Sequence, residues 1–247
     1  MTGEFSESWL SLREPADADA RAADLISLIP GPVRVIRDLG CGTGSLGRWL
    51  APRLPAPQHW VMVDRDPALL AFARAHMPFD GVTVETVLGD VTALTAADLA
   101  GTDLVTCSAL LDLLTEAEIA DLAAACATSR TPALFTLSVS GEVTLDPPVP
   151  AAVGEAFNEH QRRVVDGRRL LGPDAPAVAA AAFEKAGARV LTRPSPWSLT
   201  ASPLLDAWLH GWLAAAAEQR PDLELEAYSE ERRAATVGHV DLLAVFD

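Results

Sequence analysis

Three carboxylates stand where a short apolar run gives way to a turn. Asp38 follows Val33-Arg34-Val35-Ile36-Arg37, Asp64 follows Trp60-Val61-Met62-Val63, and Asp90 follows Val82-Thr83-Val84-Glu85-Thr86-Val87-Leu88-Gly89. A carboxylate can hold an ammonium group or accept two hydrogen bonds from neighbouring hydroxyls. Beyond Asp38 lie Gly40, Gly42 and Gly44 at alternate positions. Glycines let the chain turn tightly and let a ligand come closer than any Cβ would allow. Ser45-Leu46-Gly47-Arg48-Trp49-Leu50 then reads as the first turns of a helix, whose start offers unpaired N–H groups and a positive dipole end. A strand, a glycine turn and a helix start together make a nucleotide-binding corner.

Two ligand classes use such a corner. Gly42-Thr43-Gly44-Ser45-Leu46-Gly47 matches the G-x-G-x-x-G of dinucleotide enzymes, with Asp64 as the following acid. Asp38 separates the classes, because a carboxylate two positions before the first glycine repels a pyrophosphate and suits a cationic amine. Asp38-x-Gly40-x-Gly42-x-Gly44 closely resembles the first motif of the class I S-adenosylmethionine (SAM) methyltransferases. The resemblance implies that Asp38, Gly40, Cys41, Gly42 and Gly44 hold the aminoacid end of SAM. It also implies that Asp64, with Arg65 beside it, takes the ribose hydroxyls, and that Asp90 and the Val91 backbone meet the adenine. Ser108, closing a further strand (102–108), should sit beside the methyl group. Arg13, in an N-terminal segment of the kind that folds over the cofactor in this family, would pair with its carboxylate.

For the acceptor side, Asp112 and His160 are the candidate bases. Asp112 follows the fourth strand, where ligands lie in an open parallel sheet. His160 lies in the polar run Phe157-Asn158-Glu159-His160-Gln161-Arg162-Arg163, inside a long insertion, and an imidazole titrates near neutrality. Nucleic-acid amino methyltransferases usually carry Asp/Asn-Pro-Pro-aromatic after the fourth strand, and this chain does not. Asp146-Pro147-Pro148 comes after the fifth strand and reads as a loop.

These side chains must be positioned by alternating strands and helices. The expected elements are a helix over 17–29 stopped by Pro30-Gly31-Pro32, strands near 33–39, 60–64, 82–88, 102–108 and 133–138, and a helix opened by Asp66-Pro67. Farther on come a helix over 176–186, a strand over 188–192 stopped by Pro194 and Pro196, helices over 202–219 and 222–235, and a last strand over 238–246. Leu204, Trp208 and Trp212 fall on one stripe of the first of those two helices. The resemblance implies a doubly wound α/β fold, a seven-stranded Rossmann-like sheet in the order 3-2-1-4-5-7-6 with the last strand antiparallel. One domain spans 1–247, with 1–32 as a helical lid and 139–175 and 200–236 as substrate-cap insertions.

Composition narrows the partners. The formal net charge is −15 and the sole lysine is Lys185, which argues against an extended phosphate-binding surface and so against nucleic acid. Nearly half the residues (49%) are hydrophobic, enough for a large core, yet no apolar run is long enough to span a bilayer. Cys41, Cys107 and Cys126 show no metal-ligand spacing and suggest free thiols. No catalytic metal is expected. With an acidic, polar N-terminus, the chain reads as a cytoplasmic protein, a monomer or homodimer. The expected activity is methyl transfer from SAM to an oxygen or nitrogen of a small molecule, in bacterial secondary or cofactor metabolism. The alternatives are an NAD(P)-linked oxidoreductase and a non-catalytic SAM-binding module.

Overall fold

The computed structural model describes residues 6–77, 79–223, 225 and 233–246. Its main sheet contains β1 (Val35–Leu39), β2 (Gln58–Asp64), β3 (Val82–Leu88), β4 (Leu104–Ser108), β5 (Ala133–Asp146), β8 (Arg189–Pro194), β9 (Trp197–Thr200) and β10 (Ala234–Val245). A separate small hairpin joins β6 (Val164–Val165) to β7 (Arg168–Arg169). The order along the main sheet is β3-β2-β1-β4-β5-β10-β8, with β9 paired to the start of β10. The first five strands are parallel, and β10 runs antiparallel to β5 and β8. Counted along that path, this is the expected order 3-2-1-4-5-7-6 with its last strand reversed.

The α-helices are α1 (Glu7–Ala20), α2 (Ser45–Leu50), α3 (Pro67–Ala75), α4 (Glu116–Ser129), α5 (Ala151–Gln161), α6 (Ala175–Lys185) and α7 (Pro203–Gln219). Their starts follow the local chemistry. Asp66 caps α3 by accepting from Ala68 N–H at 2.7 Å, with Pro67 in the first position, and Thr115 with Glu118 forms a capping box at α4. One face of the sheet packs Val61, Val105, Cys107 and Phe135 against α4 and α6. The other packs Ile36, Trp60, Met62 and Leu134 against α2, α3 and Leu25. Burial on both faces is why these strands are nearly continuous apolar runs.

A third cluster lies past the carboxyl ends of the parallel strands. It joins Trp197 and Leu199 of β9 to Val153 and Ala156 of α5 and to Leu204, Trp208 and Trp212 of α7, with Trp9, Leu12, Ala16 and Ala20 of α1 packed against it. The tryptophan stripe of α7 is therefore buried, Trp208 and Trp212 stacking at 5.6 Å between centroids. We call this assembly of α1, α5, α7 and β9 the cap.

Several expected boundaries moved. A helix over 17–29 does not form: α1 ends at Ala20, the chain is extended at Arg21 (ψ 135°), and a 3-10 turn covers Ala23–Leu28. The reason is tertiary, since the Ala22 N–H is taken by Asp241 Oδ2 at 2.8 Å instead of a helical carbonyl. Trp9 to Pro15, expected to precede that helix, is itself helical, capped by Ser6. The fifth strand does not stop at Ser138 but runs to Asp146, bending at Leu137 (φ 57°) and Gly141 (φ 76°), because β10 pairs with it up to Ala234↔Asp146. Pro194 belongs to β8, on the sheet edge where a missing N–H is tolerated, and β9 was not anticipated. The helix expected over 222–235 falls largely outside the described residues, and its last two, Ala234 and Ala235, open β10.

Candidate active site

β1 delivers Asp38 and then turns. Gly40 has φ 59° and Gly42 φ 54°. A Cβ at Gly40 would meet Leu110 Cδ2 at 2.6 Å, and one at Gly42 would lie 3.2 Å from Leu10 Cδ1. The turn is thus flanked by α1 on one side and the segment after β4 on the other. Asp64 braces it: Oδ2 accepts from Gly42 N–H at 2.8 Å and Oδ1 from Asp66 N–H at 2.9 Å. A carboxylate oxygen accepts more than one bond, so Asp64 retains capacity toward a ligand. Cys41 is buried inside the turn, its N–H on Val63 O at 3.0 Å, and burial holds its thiol protonated.

Asp38 is buried between β2 and β4. Its Oδ1 accepts from Thr106 Oγ1 at 2.8 Å, while Oδ2 has no partner. Burial pushes its carboxyl up to about 7, against the pull of the Thr106 bond and of Arg21. Arg21 is the complementary anomaly. Only 4% exposed, it lies over Trp49 (5.6 Å from Cζ to the ring centroid) and sends Nη2 to Ser45 Oγ and Ser108 Oγ, both at 3.3 Å. Its Nε and Nη1 are buried without partners. Burial lowers the guanidinium's pKa, opposed by Asp17, Asp241 and Asp38 among its neighbours. Arg21 and Asp38 feel each other's charge, yet no hydrogen bond joins the two orphaned ends.

The remaining expected residues fall as follows. Asp90 is exposed at the end of β3, Oδ1 accepting from Thr92 N–H (2.9 Å) and Thr92 Oγ1 (2.8 Å), so it caps the 3-10 turn Val91–Ala93. Arg65 is exposed next to Asp64. Ser108 closes β4, receiving Thr136 Oγ1 at 3.0 Å as well as Arg21. Arg13 lies against the cap and gives Nε to both oxygens of Asp17, at 3.2 and 3.0 Å. Asp112 is half-buried in the 3-10 turn Leu111–Leu113, its carboxyl raised to about 6 by burial, against Arg13 and Arg163. His160 is half-buried in the last turn of α5 and shifted down by burial and Arg163, against Glu218. The charges around these two candidate bases share only Arg163, and neither base is among the charges acting on the other.

Sequence reasoning missed Arg21, Asp241 and His239. Asp241 is buried on β10, where Oδ1 accepts from Leu137 N–H at 2.7 Å and Ser195 Oγ at 2.5 Å while Oδ2 takes Ala22 N–H. It ties the bend of β5 to the residue after Arg21. The available signal was an acid inside the apolar run Val240-Asp241-Leu242-Leu243-Ala244-Val245, since charges are rarely buried unless partnered. Among the described residues no group of three or more His, Cys, Asp or Glu side chains is arranged to hold a metal, and no helix is long and apolar enough to cross a membrane.

Residues 36–132 match the family model described as a methyltransferase domain. No curated protein sequence matches the chain. Among solved structures, a Bacillus halodurans protein described as a methyltransferase shares 15% identity at TM-score 0.53, over 90% of this chain and 96% of that one. The cyclopropane synthase MmaA2 of Mycobacterium tuberculosis shares 13% at TM-score 0.54, over 98% of this chain and 95% of that one. The magnesium protoporphyrin IX methyltransferase of Synechocystis, solved with bound S-adenosylhomocysteine (SAH), shares 14% at TM-score 0.52, over 100% of this chain and 89% of that one. At these identities the likeness is one of fold. The family model spans β1 to β4, with Asp38, Asp64 and Asp90 inside it, so this part of the chain is similar to a methyltransferase domain.

Proposed function

We propose that the domain holds SAM by its zwitterionic end between Asp38 and Arg21 and passes its methyl group to an oxygen or nitrogen of a small molecule bound under the cap. The observation that carries this reading is the pair of buried orphans. A carboxylate oxygen and a guanidinium edge, opposite in sign and both without partners, fit the ammonium and carboxylate of one amino acid. An unpartnered buried polar group costs about 1–3 kcal/mol, more if charged, so the arrangement favours a ligand that answers both. Asp64 suits the ribose hydroxyls and Asp90 with Val91 the adenine edge.

When bound, SAM supplies a methyl group already activated on a sulfonium. The chain's own residues therefore chiefly position the acceptor and exclude water, an alignment worth up to about 7–11 kcal/mol in favourable cases. Leu10 and Leu110 close over the glycine turn, and α1 is fastened to α2 by Glu14 Oε1 accepting from Arg48 Nε at 2.8 Å. Asp112 and His160 stand as separate candidates for taking a proton from a hydroxyl or amine acceptor.

Calorimetry with SAH, with 5′-methylthioadenosine (which lacks the amino-acid end) and with NADH tests the reading. SAH should bind, the truncated nucleoside more weakly, and NADH not measurably. NADH binding without SAH binding overturns it in favour of a dinucleotide enzyme. SAH binding with no transfer of labelled methyl to any of a broad hydroxyl and amine panel favours a non-catalytic module.

A further inference from the structure

Where α1, β9 and β10 meet, Arg13, Asp17, Trp197 and His239 form a second polar cluster, outside the glycine corner. Asp17 and His239 are each 4% exposed and Trp197 2%. Asp17 is fully engaged, holding Arg13 Nε on both oxygens and accepting from Trp197 Nε1 at 3.0 Å. The Arg13 guanidinium lies over the Trp197 ring, 4.8 Å from Cζ to the centroid, and the His239 ring is 5.0 Å from the same indole. Two bonding capacities remain. Arg13 Nη1 and Nη2 have no partner among the described residues, and the buried Nδ1 of His239 has none either.

The position of this cluster ties it to the reaction. Arg13 is among the charges acting on Arg21, on Asp112 and on His239. It is therefore within electrostatic reach of the proposed cofactor end, the segment after β4 and the last strand. Ser108 pairs with Thr136 and His239 with Val139, which puts His239 farther out along the sheet than Arg21's serine contacts, on the cap side.

The chemistry of what is left over selects the ligand. An Nη pair in one plane, fixed by its Nε bond and its stacking, is a two-pronged donor matched to a carboxylate. Burial and the Arg13 charge hold the His239 imidazole neutral, so it adds a hydrogen bond and no further charge. A cationic acceptor, by contrast, finds here two acids already hydrogen-bonded and a third facing two arginines. Asp17 faces Arg13, Asp241 accepts three donors, and Asp112 lies in the fields of Arg13 and Arg163. We infer that the methyl acceptor is a small molecule bearing a carboxylate, gripped by the Arg13 fork with His239 Nδ1 beside it. This inference rests on the methyltransferase reading, and it moves Arg13 from cofactor binding to acceptor recognition.

The test uses the full chain saturated with SAH and two probes of one shape, sodium benzoate and benzyl alcohol, titrated by saturation-transfer NMR and tryptophan fluorescence. Benzoate should bind in the millimolar range and benzyl alcohol at least tenfold more weakly. Arg13→Lys keeps the charge and loses the fork; it should weaken benzoate about tenfold while SAH affinity stays within twofold. His239→Asn should weaken benzoate by a smaller factor and also leave SAH untouched. Equal binding of the two probes, no binding of benzoate, or benzoate binding indifferent to Arg13→Lys overturns the inference while the methyltransferase reading stands. An Arg13→Lys variant that loses SAH instead returns Arg13 to the cofactor. Failure of the wild-type chain to bind SAH at all removes the methyltransferase reading itself.

Discussion

The two halves of the site solve opposite electrostatic problems. At the glycine corner, Asp38 and Arg21 are buried, opposite in charge, and each keeps polar atoms without a partner. At the cap, Arg13 and Asp17 already neutralise each other, and what remains is hydrogen-bonding capacity. The corner is thereby poorly satisfied on its own, and in the proposed reading a zwitterion completes it, whereas the cap cluster pairs its charges and keeps a set of donors. A cofactor shared by many enzymes suits a site that depends on it, and a specific acceptor suits a site that selects.

The sharpest way to break this contrast is to remove one charge at the corner. Arg21→Met or Asp38→Asn should weaken SAH about thirty-fold or more, since truncating one partner of a buried charge pair costs about 2–5 kcal/mol. Affinity for 5′-methylthioadenosine should hold in the same calorimetric series. Equal losses for both ligands would show that these residues support the fold and not the amino-acid end.

Next in size is Asp241→Ala, which strands the Leu137 and Ala22 N–H groups and Ser195 Oγ. It should destabilise the chain by about 2–4 kcal/mol in thermal unfolding, by leaving buried donors unpaired. SAH should lose affinity as well, because the chain next to Arg21 loses its anchor.

The third prediction concerns pH. Asp38 must be ionised to receive an ammonium group, and its folded pKa is raised to about 7. SAH affinity should therefore be full above about pH 7 and fall as pH drops through that value, a dependence that Asp38→Asn abolishes. The stability of the unliganded chain should respond in the other direction. The folded state holds this proton more tightly than the unfolded one, so Asp38's contribution is complete below pH 3.8 and is lost as pH rises toward about 7. Denaturant titrations of wild type and Asp38→Asn across that window would show the difference.

The smallest expected effect is at the seam between the halves. Glu14 and Arg48 join α1 to α2 with side chains 28% and 18% exposed. Glu14→Gln should cost about 0.2–1 kcal/mol of stability, as partly exposed pairs do. A larger loss would mean that the two halves are more tightly coupled than their separate chemistry suggests.

The glycine corner was legible because it is local. Asp38, the three glycines and the helix start occupy consecutive positions, and Asp64 and Asp90 each close an apolar run whose period marks it as a strand. Sheet order followed from the same motif through the family resemblance. The cap was far less legible. Its helices α5 and α7 lie in stretches singled out in advance, but the extension of β5 to Asp146 depends on pairing with residues about ninety positions later, which no local window contains. Arg21 was hidden by an expected helix that Asp241, from the far end of the chain, interrupts. His239 sat in a run that reads only as a strand.

Local chemistry in the sequence thus pointed to the cofactor class proposed, since turn-forming glycines and strand-ending acids act where they stand. Only the tertiary structure decided which arginine is buried within reach of Asp38's charge, which one pairs with Asp17, and which buried atoms remain unpaired. A buried charge is defined by every group packed around it, and those groups come from segments that the chain brings together only when it folds.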